Sequence, residues 1–418
     1  MVLVNRRRCS FKKPMRARFL CFVMLLAPAE TLAQPVVRVL DRKEVVRLAS
    51  EHAPMVVVAA RRVAEARALR IGASIATTVN PELSGYVGPR WKTSTPGTDF
   101  FVGLAWPFDL SGAPSNRAHL ADDRARVAEA EAEMVRRSAI GEALDLWARA
   151  GGAEERVRLE TARLALDQEI RRAVEVKRSA GMIGDGDVAL GRVLEAQGVA
   201  RKALAESELK GLSELLRVRL GIAAGEPVAL SGIAMRNELP PLEALVNRLP
   251  QQPAVVNALA SVSAADTDAS LQRRLRMPSP RVTAGGGVDP DSYVHIGLDL
   301  PLPVFQRNQT NVAVTAARSD TARAAYASTL ALAEGNLRSA YAEYLGARNA
   351  LSALEGAMPQ VEDAEHLATR GYELGKSTLT DVLAVRREAA AARLAFIDAK
   401  VSLARAHVAV ELLAGTLP

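Results

Sequence analysis

Cysteine is nearly absent: the 418-residue chain has two, Cys9 and Cys21, both within its first 33 residues. Beyond them there is no thiolate for a metal site, no disulfide and no cysteine nucleophile. Five histidines, His52, His119, His295, His366 and His407, are scattered without a paired spacing, so no metal centre is expected. Aromatic residues are only 4% of the chain, too few for several large compact cores. No apolar run reaches the roughly 20 residues of a membrane-spanning helix. A Gly-rich, Lys-terminated phosphate loop is missing, and no Ser/His/Asp constellation stands out. The sequence therefore offers no enzyme chemistry and no cofactor site.

The net charge of +7 is unevenly placed. Residues 1–33 hold seven basic side chains against Glu30, so the rest of the chain is close to neutral. A nucleic-acid partner is not expected for such a body. The same 33 residues have a basic start, the apolar run Phe19–Ala27 and Thr31-Leu32-Ala33 before Gln34. That is the pattern of a secretory signal peptide, and the small residues favour cleavage over a retained anchor. Gln34, not a cysteine, follows the cut, so an N-terminal lipid anchor is not indicated.

Against these absences the stretch Ser279–Asn311 stands out. Two runs of strand character flank the turn formers Asp289-Pro290-Asp291-Ser292. In the second run Val294, Ile296, Leu298 and Leu300 alternate with Tyr293, His295, Gly297 and Asp299. Such alternation puts the aliphatic set on one face. After Asn308 a long Ala-rich helical pattern begins. The first half repeats the join. A helical stretch, Asp41–Ile75, leads to Glu82–Arg90, a loop, and Phe100–Phe108 with Phe100, Val102, Leu104 and Trp106 on one face. A helix then runs from Ala113 to Arg178, breaks at Ser179–Asp187 and returns to Leu220 before Gly221.

Pro54 and Pro81 match Pro253 and Pro280 at an offset of 199. Gly103, Pro107, Gly141, Gly152, Gly181, Asp187 and Gly221 match Gly297, Pro301, Gly335, Gly346, Gly375, Asp381 and Gly415 at an offset of 194, and Trp147 falls on Tyr341. The chain is a tandem duplication: residues 34–221, a linker over 222–252 that wraps the outside, and 253–418. Pro359 lies inside the second long helix, which predicts a kink or local unwinding near Gly356–Pro359 and none at the equivalent Ala165.

Apolar residues repeat every seven at Leu120, Val127 and Met134 and at Leu159, Leu166 and Ala173, with Val157 and Leu164 as an offset stripe. Periodicity alone leaves two readings open, a closed ring of helices and an ordinary antiparallel coiled coil. The hairpins tip the balance. Their strands have the length of membrane-crossing β-strands, but four are too few to close a barrel, so a lipid setting demands several copies. The aliphatic faces would then meet lipid, while Ser84, Tyr86, Tyr293, His295 and Asp299 would line a wet lumen.

GYELGKSTLTDVL (Gly371–Leu383), the closing AGTL (Ala414–Leu417), the duplication and GLDLPLPVFQRNQ (Gly297–Gln309) resemble the TolC-like outer membrane factors, and the last stretch is most similar to the heavy-metal-efflux (CzcC-like) branch. The resemblance implies a mainly α fold with a small β part. It implies a homotrimer whose strands form one outer-membrane β-barrel, continued by a periplasmic α-helical barrel. It further implies a passive exit duct serving an inner-membrane pump and a periplasmic adaptor, with heavy-metal cations as cargo in that branch. A type I secretion duct and a periplasmic coiled-coil adaptor or scaffold are the alternatives. The family's gate falls at the tip turn, where Tyr372, Gly375 and Asp381 match. Ala384 replaces a second acidic residue and Ser377 a basic one. Asp187 and Asp381 are the candidate pore carboxylates, with Tyr372, Thr380 and Lys376 as neighbours expected to bond them. Thr378 and Asp381 also have the spacing of a helix capping box.

Overall fold

Each half of the chain builds the same succession of elements, and the fold is their side-by-side packing. The computed structural model describes residues 38–417 apart from 78, 92–95, 227, 233–237 and 290. The signal peptide expected at 1–33 lies outside them. The first half consists of β1 (Arg38–Leu40), α1 (Arg42–His52), α2 (Pro54–Ala73), β2 (Glu82–Arg90), β3 (Gly97–Pro107), α3 (Ala113–Ser179) and α4 (Asp185–Arg219). The second consists of β4 (Val228–Leu230), α5 (Leu242–Val246), a single 3-10 turn, α6 (Pro253–Arg274), β5 (Arg281–Val288), β6 (Ser292–Asp299), α7 (Gln309–Glu373) and α8 (Leu379–Leu413).

The repeated glycines have a common task. Gly181, Gly221, Gly375 and Gly415 all have φ between 67° and 73°, the left-handed conformation that ends a helix without a Cβ clash. The same paired bonds close the two tips: Met182 N donates to Lys177 O at 2.9 Å, and Lys376 N to Gly371 O at 2.8 Å. Proline acts at the other end. The helix expected over 41–75 is two helices, because Pro54 opens α2 as its first residue.

α3, with 67 residues, spans about 100 Å. The apolar core sits around its middle and that of α7. Leu40, Val45, Ile140, Leu144, Leu216, Leu220 and Leu417 form one cluster. Leu245, Leu249, Leu337, Tyr344, Leu403 and Val410 form the other. Repeat-equivalent aromatics tie in the segment ahead of each half. Trp147 Nε1 donates to Leu40 O at 2.9 Å, and Tyr341 Oη to Pro240 O at 3.3 Å. The linker of 222–252 is anchored at two points: β4 pairs in parallel with β1, and Leu245 and Leu249 are buried against α7.

Two expectations change. On α3 the deeply buried heptad positions are Glu160, Asp167 and Val174, one residue on from the apolar series Leu159, Leu166, Ala173. The reason lies on α4, where Gly191, Gly198 and Ala205 present a seam of small residues. A Cβ on Gly198 would sit 3.0 Å from Asp167 Oδ2, so the helices approach closely. Arg201 satisfies the buried carboxylates at 3.1 Å from Glu160 and 3.0 Å from Asp167. Secondly, α7 is helical without a break through Pro359, and the expected unwinding does not occur. Proline removes one donor, and the side-chain amide of Gln360, oriented to suit its neighbours, donates to Gly356 O at 2.8 Å and Ala357 O at 3.1 Å.

The halves meet where Gly141 and Gly152 of α3 face α8. A Cβ on Gly141 would lie 3.0 Å from Leu412, and one on Gly152 would overlap Val401. Their repeat equivalents on α7, Gly335 and Gly346, have nothing within 4 Å.

The Trp147 anchor is testable. Trp147→Phe keeps most of the ring and removes the donor, so it is expected to cost about 1–2 kcal/mol of stability. Tyr341→Phe, which removes an exposed hydroxyl, should cost less than about 0.5 kcal/mol. Thermal unfolding in detergent compares the two, and equal losses would contradict the assignment of Trp147 as the stronger tether.

Candidate functional site

Four strands form one antiparallel sheet in the order β2-β3-β5-β6, with the two hairpins joined through β3 and β5. Strand residues alternate between faces, and cross-strand partners share one. Val102 is paired with Gly85 and Gly286, Leu104 with Leu83 and Ala284, and Ile296 with Ala284. One face therefore carries Leu83, Val87, Phe100, Val102, Leu104, Trp106, Val282, Val288, Val294, Ile296 and Leu298, separated only by Gly, Ala, Pro, Thr98 and Ser292. Val294 is 86% exposed and Ile296 82%. Seven of the eight strand positions expected to be lipid-facing fall here, while Leu300 follows the end of β6 and is also exposed. Leu83, Val87, Val282 and Val288 were not singled out from the sequence, although their alternation continues the same pattern.

The opposite face is polar and aromatic. It holds Ser84, Tyr86, Asp99, Phe101, Thr283, Tyr293, His295 and Asp299, with ion pairs Arg90–Asp99 and Arg281–Glu82. Asp99, Phe101 and Thr283 are the members that were not singled out from the sequence.

At the far end of the helices lie two turns, 180–184 and 374–378. Lys177 Nζ lies 4.1 Å from the ring centroid of Tyr372, a cation–π contact between the ends of α3 and α7. Lys177 was missed because nothing in its local sequence marks it. The capping box is formed: Asp381 N donates to Thr378 Oγ1 at 3.2 Å, and Thr378 N to Asp381 Oδ2 at 2.9 Å. Thr378 Oγ1 also donates to Asp381 Oδ2 at 2.7 Å. These bonds, the side-chain one foremost, hold the Asp381 carboxyl below its ordinary pKa. Asp187 is likewise the third residue of its helix, but its cap position is Gly184, which has no side chain to accept a bond. Among the described residues no hydrogen bond or ion pair joins Asp187 or Asp381 to Tyr372, Thr380 or Lys376. Tyr372 is engaged by Lys177 instead. Thr380 borders a cavity of about 410 Å³ between α3, α4 and α8 that is lined by Arg163, Arg201, Arg386 and Arg393. Burial there raises the Asp167 pKa despite Arg201 and Arg163 nearby. Among the described residues no group of His, Cys, Asp and Glu could hold a metal ion. No helix of these residues is long and apolar enough to cross a membrane.

A four-stranded sheet with one apolar face, carried on two pairs of very long helices, defines a class. The fold is that of the CmeC outer membrane channel of Campylobacter jejuni, with TM-score 0.78 at 18% identity over 90% of this chain and 85% of that one. Residues 244–416 match the family described as outer membrane efflux protein. The resemblance to the TolC-like outer membrane factors thus holds, over the second half by family match and over nine-tenths of the chain by fold. Among individual proteins, the chain is similar to the cobalt-zinc-cadmium resistance protein CzcC of Cupriavidus metallidurans, 25% identical over 323 residues, 76% of this chain and 77% of that one. It is also similar to the nickel-cobalt-cadmium resistance protein NccC of Alcaligenes xylosoxydans xylosoxydans, 26% identical over 235 residues, 53% of this chain and 52% of that one.

Thr378→Ala breaks the capping box and is expected to cost about 1 kcal/mol of helix stability, with α8 fraying at its first turn. A folded-state pKa that is depressed contributes stability above the unfolded value, about 3.9 for Asp, and loses it as pH falls through the folded value. The difference between wild type and Thr378→Ala should therefore be complete at pH 6 and shrink below about pH 4. Hydrogen exchange of residues 379–383 reads this directly, and unaltered protection would show that the cap is not formed.

Proposed function

We propose that the chain is an outer membrane exit duct of a tripartite efflux system, a passive conduit from a periplasm-spanning tunnel to the exterior. The observation that carries it is the two-faced sheet. A face of aliphatic and aromatic residues, most of them exposed, is unstable against water. Strands of 8 to 11 residues match the roughly 9–11 that cross a bilayer. The helices run away from the sheet and leave that face uncovered. A periplasmic scaffold has no use for such a face, so this reading is preferred to an adaptor. A type I secretion duct would share all of these features.

Several copies are required, and the internal repeat supports how they join. Within the chain α3 packs on α6 and α8. Its equivalent, α7, packs on α6 and α8 of its own half but has no second α2 or α4 beside it. The α6 residues that touch α3 include Asn257 and Ser270, which bond Val127 O and Asn116. Their equivalents on α2 are Val58 and Ile71, exposed by 53% and 75%. On α4, Val218 is the equivalent of Leu412 and is 56% exposed. A neighbouring copy placed as the second half is placed on the first would bring these against the open Gly335 and Gly346 face of α7. The contact is head-to-tail and closes into a ring, and we take it as a homotrimer of twelve strands. An inner-membrane pump and a periplasmic adaptor are its proposed partners, with the sheet in the outer membrane and the long helices in the periplasm. Heavy-metal cations are the proposed cargo, on the strength of the similarity to CzcC and NccC.

If the apolar face meets lipid, Ile296→Lys should cost about 2–4 kcal/mol of barrel stability and lower the yield of trimer, counted by light scattering with the detergent mass subtracted. His295→Lys, on the other face, should leave the trimer intact. Equal damage would mean that the faces are wrongly assigned.

Threefold repetition would set six carboxylates, from Asp187 and Asp381, around the tunnel mouth, where like charges in a narrow space favour cations. Replacing both by Asn is expected to lower the cation preference of single channels in planar bilayers at low salt, where screening is weakest. Unchanged selectivity would leave both residues as parts of helix ends only.

A further inference from the structure

The polar face of the sheet has a feature that a water-filled pore does not need. Phe101 lies over two glycines. A Cβ on Gly103 would sit 2.5 Å from its ring and a Cβ on Gly285 2.8 Å. His295 reaches over Gly285 from the other side, its Cε1 3.0 Å from the same point. The two rings meet above β5, although their strands are not neighbours. Their centroids are 5.7 Å apart and their planes differ by 12°. Tyr86 stacks on Phe101 at 5.7 Å and Tyr293 on His295 at 6.2 Å, and the two tyrosines also approach each other. The four rings form one cluster that spans the sheet from its first strand to its last.

Covering a glycine with one ring is a known way to steady a strand, and Phe101 alone would do that for Gly285. It does not account for Tyr86 and Tyr293, which leave 53% and 36% of their surface open. Nor does it account for three successive glycines, Gly285, Gly286 and Gly287, which weaken β5. Phe101 and His295 also occupy equivalent positions in the two hairpins, each followed two residues later by glycine. That ring-and-glycine pair is thus repeated within the chain, whereas Tyr86 and Tyr293 correspond to Gly285 and Asp99.

We propose that these four rings form a binding surface on the inner wall for aromatic organic cations. Ring faces carry negative electrostatic potential and attract a cation set against them, while a flat solute can stack on the same faces. The local charges point the same way. Arg90 is paired with Asp99 and Arg281 with Glu82, whereas Asp299, on the same face four residues from His295, has no ion pair among the described residues. A hydrated divalent metal ion gains little from such a wall. The inference rests on the exit-duct reading, in which this face borders the lumen, and it adds to the cargo class an organic cation with an aromatic group.

The test is block of single-channel current by tetraphenylphosphonium, with tetrabutylammonium as the aliphatic cation of the same charge. The full chain is reconstituted in planar bilayers, and current is normalised to each variant's own open level. Tetraphenylphosphonium is expected to block at a concentration about threefold lower than tetrabutylammonium. Phe101→Leu, and independently Gly285→Ala, which pushes a methyl group beneath the rings, should each remove most of that difference. Ser84→Ala, which removes a hydroxyl beside the rings but no aromatic face, should retain it. Equal potency of the two cations on the unaltered channel, or a preference that survives both Phe101→Leu and Gly285→Ala, overturns the binding surface while leaving the duct standing. An unaltered chain that forms no conducting channel overturns the duct itself and the wall with it.

Discussion

Everything in this fold turns on a sheet that is not closed. β2 and β6 each have one neighbour and one open edge, a row of backbone donors and acceptors without partners. In water such an edge is satisfied by solvent, but in hydrocarbon each unpaired group costs several kcal/mol. The apolar face excludes water as a comfortable surrounding, and the edges exclude lipid for a single copy. In the proposed ring, pairing of β6 with the β2 of another copy removes the conflict. The helices carry the same incompleteness: α3 is packed on both sides and α7 on one. Sheet and helices thus lack a neighbour on the same side, which is what the proposed ring of copies would supply.

Stability is concentrated away from both ends. The large, fully buried aliphatic side chains lie near the middle of the long helices, beside the β1–β4 pair and the segment after Pro240. Towards the tip the contact between α3 and α4 uses glycine, alanine and ion-paired carboxylates, which bury little apolar area and contribute correspondingly less. A buried ion pair such as Arg201 with Asp167 holds position more than it adds stability, since burial of the charges opposes their attraction. The middle of the molecule is a clamp, and the tip pairs are held to it by packing that can rearrange. Local opening is expected to follow that gradient.

Much of this was legible in the residues. Strict alternation named the faces of β3 and β6, and glycine and proline at constant offsets exposed the duplication and set the helix ends. What escaped has physical causes. β1 and β4 are three residues each, too short for any period, and exist only because Trp147 and the surrounding core hold them. The polar α3 seam defeated a rule that looks for apolar heptads, because the decisive residues, Gly191 and Gly198, are on the partner helix. Proline's cost at Pro359 was judged locally, while a 65-residue helix packed along its length tolerates one missing bond. Lys177 and Phe101 matter through contacts across elements, which no local pattern records. At the tip, residue identity could name Asp381 and its cap, but it could not say that Tyr372 would face a lysine.

The two tips are not equivalent, and the difference follows from one position. Thr378 and Gly184 are repeat partners, and only the first can cap a helix. α8 therefore begins with reciprocal bonds to Asp381, whereas α4 begins beside Gly184 and Gly186 with Asp187 uncapped. A missing cap is worth about 1 kcal/mol, and glycine adds backbone freedom to the same turn. Across the same turn Arg178 of α3 pairs with Asp185 of α4 at 2.6 Å, but both are solvent-exposed and such pairs are weak. The Lys177–Tyr372 contact then joins a loosely ended hairpin to a firmly ended one. A displacement at the tip meets least resistance in the first hairpin's turn, while the second keeps its shape and swings as a unit. In the proposed duct, loss of that cation–π contact would free the second hairpin to move without any unwinding of helix.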